Sequence, residues 1–101
     1  MPNTSTITKP KVNNKIKKPN LFKVIYENDD KTTMEFVVES LMAVFNHSRE
    51  ASESITMEIH ETGASVVAIL PYEIAEQKGL EVTTMARNQG FPLQVLIEEE
   101  A

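Results

Sequence analysis

The chain contains no cysteine, which excludes disulfide staples, thiol nucleophiles and thiolate metal sites and fits a reducing compartment. Glycine is nearly as scarce, at 3 in 101 residues, so no glycine-rich loop is available to cradle a phosphate. The histidines, His47 and His60, lack the His-x-x-x-His spacing that aims two imidazoles at one metal. No apolar run approaches the roughly 18 residues of a bilayer-spanning helix, and the first residues lack the apolar core of a signal peptide. These absences lead us to expect a cytoplasmic protein, with a plastid stroma also open, that uses no metal or cofactor.

What is present suits one small globular domain, with 41% hydrophobic and 25% charged residues. Charge divides the chain unevenly. Residues 1–20 carry Lys9, Lys11, Lys15, Lys17 and Lys18 and no acid, whereas residues 21–101 hold 5 basic and all 15 acidic residues, a net −10. An acidic fold repels nucleic acid, so none is expected as a partner. Residues 1–19 scatter Ile7, Val12 and Ile16 among Thr, Asn, Lys and Pro, too few apolar groups to bury; we expect a disordered basic extension ahead of a core over 20–101.

Periodicity then divides the core. Leu21–Tyr26 reads as a strand, rich in β-branched and aromatic residues. Met34, Val37, Val38, Leu41, Met42 and Phe45 recur at helical spacing, and Thr32 with Glu35 suggests a capping box. Ser48 suits the cap of a second helix running to about His60, with Ala51, Ile55 and Ile59 on its apolar face, Met57 beside them, and Gly63 at its exit. Ser65–Leu70 reads as a strand buried on much of both faces. Pro71 opens a third helix with Ile74, Ala75, Val82, Met85 and Ala86 inward, ended by Gly90 and Pro92; Leu93–Ile97 closes the sheet. The expected fold is α+β, a three-stranded antiparallel sheet packed against three helices in the order β-α-α-β-α-β.

Between the first strand and the first helix stand three consecutive Asx residues, Asn28, Asp29 and Asp30. One would be ordinary at such a corner, because a short polar side chain bonds nearby backbone. Three together ask for more than a turn. As a general acid/base pair, Asp29 and Asp30 are unsuited, since adjacent carboxylates tend to point apart. By position alone, His47 reads as a solvated cation at the end of the first helix, and His60 as a partly enclosed ring that caps or is satisfied in the core.

The run Asn28-Asp29-Asp30-x-Thr32-x-Met34-Glu35-Phe36-Val37, followed at a distance by His60-x-x-Gly63, resembles the signature of the ClpS adaptors, which recognise N-degrons for the Clp ATP-dependent protease. The likeness extends over about residues 20–101, through Tyr72-Glu73-Ile74-Ala75-Glu76-x-Lys78 and Phe91-Pro92-Leu93. It implies a non-enzymatic adaptor that accepts the free α-amine of a substrate protein through Asn28 and His60, supported by Asp29, with Asp30 holding the turn. Thr32, Met34, Val37, Thr56, Met57, Ile59 and Leu93 would line an apolar well for a first residue of Phe, Tyr, Trp or Leu, although Met57 by itself reads as core. Glu73 and Lys78 match positions that dock the N-terminal domain of a ClpA- or ClpC-type unfoldase; by pattern alone both belong to a solvated helix face. A monomer is expected. Thr33 departs from the family's proline before Met34, and Thr56 from its methionine. The alternative is an interaction module resembling the C-terminal domain of the ribosomal stalk protein, which shares the architecture and needs no amine site.

Overall fold

The structure is a computed structural model that describes residues 20–100; the expected 1–19 extension lies outside them. The elements are β1 (Leu21–Glu27), α1 (Met34–Phe45), α2 (Arg49–Thr62), β2 (Ala64–Pro71), α3 (Tyr72–Asn88) and β3 (Gln94–Glu99). The order is the expected one. The sheet runs β2-β1-β3 and is antiparallel throughout. Among the described residues no helix is long and apolar enough to cross a membrane.

Alternation in β1 puts Phe22, Val24 and Tyr26 on the face that the helices cover, where Val24 and Tyr26 are fully buried. α3 touches all three strands, α1 packs on α2 and α3, and α2 lies on α1 and β2. Leu41 and Val82 are wholly buried between these layers, and burial of a side chain of that size stabilises by about 1.5–3 kcal/mol. Tyr26 ties sheet to helix: its hydroxyl donates to Ser40 Oγ at 2.7 Å, and Ser40 in turn donates to the Val37 carbonyl at 2.9 Å. Burial drives the Tyr26 phenol strongly upward, against a smaller opposing effect of Ser40, so it stays a donor.

Several faces differ from their periodicity. β2 is exposed on its outer side at Val66 and Ile69, because no layer covers that face of the sheet. In α2 the buried residues are Ser52, Thr56 and Ile59, while Ala51 and Ile55 are half-buried and Met57 is 45% exposed. The helix continues to Thr62 before its Gly63 cap, whose φ of 98° suits glycine. In α3, Ile74 turns to solvent, and Gly79 is the residue pressed on the sheet. A Cβ there would sit 3.5 Å from both Val95 Cγ1 and Ile97 Cδ1.

His47 does not stand free in solvent. Its Nε2 lies 2.7 Å from the Val67 carbonyl oxygen, which requires that nitrogen to carry the proton. Val67 is the bulged residue of β2: Val24 pairs with Ala68 and Ile25 with Val66, which leaves Val67 without an opposite number. The imidazole therefore occupies a carbonyl at the break in the ladder and fastens the exit of α1 to the sheet.

Candidate functional site

The Asx corner is built around Asp29. Its Oδ1 accepts from Lys31 N at 2.8 Å and Thr32 N at 2.7 Å, and its Oδ2 accepts from Thr32 Oγ1 at 2.8 Å. Asp29, not Asp30, holds the turn; Asp30 is exposed. Nor does Thr32 cap α1 through a box with Glu35. The cap is Thr33, whose Oγ1 accepts from Phe36 N at 3.1 Å, which makes Met34 the first helical residue. Thr32 is committed to Asp29 instead, and the two threonines divide the work of corner and cap.

Partial desolvation pushes the Asp29 pKa up, but the Thr32 and Lys31 N–H groups, the Thr32 hydroxyl and the charge of Arg87 outweigh it. The carboxyl is held below its ordinary value of 3.8. Because the folded-state pKa is depressed, this stabilisation is complete above the unfolded value of about 3.9 and is lost as pH falls through the folded one. We therefore expect Asp29→Asn to melt below the parent at neutral pH, and the gap to narrow as pH falls under about 3.9 in thermal melts. A gap that stays constant down to strong acid would mean that the charge is not what braces the corner.

A backbone joint sets this corner beside α2. Asn28 N donates to the Gly63 carbonyl at 2.9 Å, so the exit of α2, with His60 three residues upstream, abuts the start of the Asx run. His60 is exposed, not partly enclosed, and the Asn28 side chain is exposed too. Met34 is 41% exposed and Met57 similarly so, which corrects the reading of Met57 as core. Val37, Thr56, Ile59 and Leu93 are nearly buried. Thr56 turns its hydroxyl back to the Ser52 carbonyl at 2.7 Å. The structure thus sets the Asx corner against the exit of α2 through the Asn28–Gly63 bond, and the Glu27–Gln94 pair brings the start of β3 to the same end of the sheet.

Glu73 and Lys78 lie elsewhere. Glu73 is exposed and lines a cavity of about 400 Å³ with Asn20, Phe22, Pro71, Tyr72 and Ile74. Phe22 is the second residue of β1 and Asn28 follows the strand's end, a separation of roughly 20 Å along an extended strand. Lys78 does not belong to a solvated face: it is half-buried and donates from Nζ to the Val44 carbonyl at 2.9 Å, capping α1 across the domain. Sequence reading also missed Arg87, which donates to the Phe91 and Leu93 carbonyls at 2.9 Å. A cation in a last helical turn reads as a dipole partner, and only the fold shows what it holds.

The class defined by this frame is a small α+β domain with an Asp29-braced corner where its first strand meets its first helix. A sequence model described as "ATP-dependent Clp protease adaptor protein ClpS" matches residues 17–96. The chain is 43% identical over 89 residues to the ATP-dependent Clp protease adapter protein ClpS of Clostridium acetobutylicum, covering 88% of each chain. It is 40% identical over 100 residues to that of Campylobacter jejuni, covering 99% of this chain and 100% of the relative. The solved structure of Agrobacterium tumefaciens ClpS2 bound to L-phenylalaninamide superposes with a TM-score of 0.80 at 40% identity, over 82% of this chain and 100% of that one. The chain belongs to the ClpS family, the adaptors of the ATP-dependent Clp protease. The likeness to the ribosomal stalk domain gives way to this assignment.

Proposed function

We propose that the protein captures other proteins by the free α-amine of a bulky apolar first residue, Phe, Tyr, Trp or Leu, and passes them to the N-terminal domain of a ClpA- or ClpC-type unfoldase. The observation that carries this reading is the corner itself: Asp29 braces it from within, and the Asn28–Gly63 joint fixes it against the end of α2 that bears His60. An ammonium offers three donors and requires several acceptors held at one point. The Asn28 carboxamide oxygen and the His60 ring nitrogen accept from the amine, while Asp29 contributes negative charge. The first side chain enters among Thr32, Met34, Val37, Thr56, Met57, Ile59 and Leu93, where flexible thioethers adapt to more than one shape. The binding of L-phenylalaninamide by the Agrobacterium relative supports this assignment.

No group in this scheme makes or breaks a covalent bond, so the protein acts without catalysis, metal or cofactor, as a monomer in the cytoplasm or a plastid stroma. Of the two docking residues, exposed Glu73 faces the unfoldase directly, and Lys78 steadies the helix that carries it. The distance along β1 lets both sites be occupied at once. Residues 1–19 serve delivery: extended, they span about 60 Å at most, enough to engage an unfoldase pore. The test is degradation of a reporter that begins with Phe by the Clp protease. Degradation should need this protein and stop when residues 1–19 are deleted, with peptide affinity changed by less than about twofold, since the charge-assisted contacts to the amine remain. Normal degradation without residues 1–19 would remove their delivery role.

A further inference from the structure

The segment between α3 and β3 has no strand partner, yet it delivers Leu93, 1% exposed, to the floor of the site. Two contacts hold Phe91: its N–H donates to Ala86 O at 2.9 Å, and its ring meets Phe36 of α1 edge-on at 5.4 Å. The carbonyls on either side of Pro92 would otherwise lack a ladder. Arg87 takes both from one nitrogen, Nη1 donating to Phe91 O and to Leu93 O at 2.9 Å each. Glu27 pairs with Gln94 at the end of the sheet, so the clamped Leu93 stands next to Asn28 and the start of the corner, where Asp29 holds Lys31 and Thr32; the Arg87 charge adds a small effect on the Asp29 carboxyl.

We infer that Arg87 is a positioning residue that clamps the Phe91–Leu93 floor and couples it to the Asp29 corner, so that the apolar end and the amine end of the site keep one fixed spacing. This rests on the amine-capture reading for its ligand, but not for its geometry. The spacing matters most for a first side chain long enough to reach the floor. A lysine keeps the charge but lacks the rigid guanidinium plane that aims Nη1 at both carbonyls, so it replaces Arg87 only in part.

The test measures peptides beginning with Phe and with Leu against the parent, Arg87→Ala and Arg87→Lys, with melting temperatures alongside. Loss of a paired charge-assisted clamp should weaken the Phe peptide about tenfold in Arg87→Ala, and the shorter Leu peptide less than about threefold. Arg87→Lys should fall between parent and Arg87→Ala, and it remains informative if the alanine variant fails to fold. Equal weakening of both peptides, or none, overturns the inference. In the ligand-free protein, Arg87→Gln should shift the amide resonances of Leu93 together with those of Lys31 and Thr32; shifts confined to the Phe91–Leu93 segment overturn the coupling. A parent that ignores the free amine sinks the capture reading alone, and the ligand-free spectra then decide the role of Arg87.

Discussion

A peptide that begins with a free phenylalanine should bind at least tenfold more tightly than the same peptide N-acetylated, since a hydrogen bond to a charged group is worth about 1.5–3 kcal/mol and 1.4 kcal/mol is a factor of ten. Acetylation removes the charge and two of the three donors. It leaves exposed Asn28 at the corner and exposed His60 in the last turn of α2 facing a group that cannot satisfy them. The Asp29 oxygens are engaged by Lys31 and Thr32, so in this reading Asp29 keeps the acceptors in place and adds negative charge. Asn28→Ala should therefore weaken the free peptide and leave the acetylated one unchanged, so that the gap between them closes. Anisotropy titrations of both peptides against both proteins measure this as a cycle. Equal affinity of the parent for the two peptides would end the capture reading.

The second expected result concerns the shape of the first side chain. Met34→Ala should admit peptides beginning with Ile or Val that the parent rejects. Met34 is the first residue of α1 and is 41% exposed, and helical side chains lean back toward the helix N-terminus. It therefore leans over the corner, where the β-carbon of a captured residue would lie. Branching at that carbon clashes at a cost of about 1–3 kcal/mol, while Phe, Tyr, Trp and Leu carry their bulk farther out. In the proposed reading Thr56 stands at the other end of the well; it is 4% exposed, with its hydroxyl turned to Ser52 O. Its small size leaves a wider space that favours aromatics over Leu, so Thr56→Met should raise Leu affinity relative to Trp. Exclusion of Ile and Val by Met34→Ala would place the gate elsewhere. An unchanged Leu-to-Trp ratio in a folded Thr56→Met would remove Thr56 from the wall.

The parts of this protein that rest on local interactions were legible in its residues. The order of elements follows from periods of two and 3.6. The Ser48 cap, bonded to Ala51 N, and the left-handed Gly63 follow from chemistry within one turn. The Asx run announced a corner for the same reason. Even here the cap of α1 moved by one residue, because Thr32 and Thr33 are equivalent as caps until Asp29 claims the first.

Sequence by itself determined the α+β class, the place of the Asx corner and the resemblance to the ClpS family. Only the tertiary structure decided which faces are covered and what each long side chain holds. Ser52 and Thr56 are buried while Met57 is exposed, since the position of α2 against α1 and β2, not hydrophobicity, selects its inner face. Gly79 and not Ile74 faces the interior, where α3 lies close on Val95 and Ile97. His47 meets Val67 O, and Lys78 meets Val44 O, across 20 and 34 residues of chain. No period or cap rule reaches so far: those partners are set by a bulge in β2 and by the packing of helices on the sheet, which exist only once the chain has closed on itself.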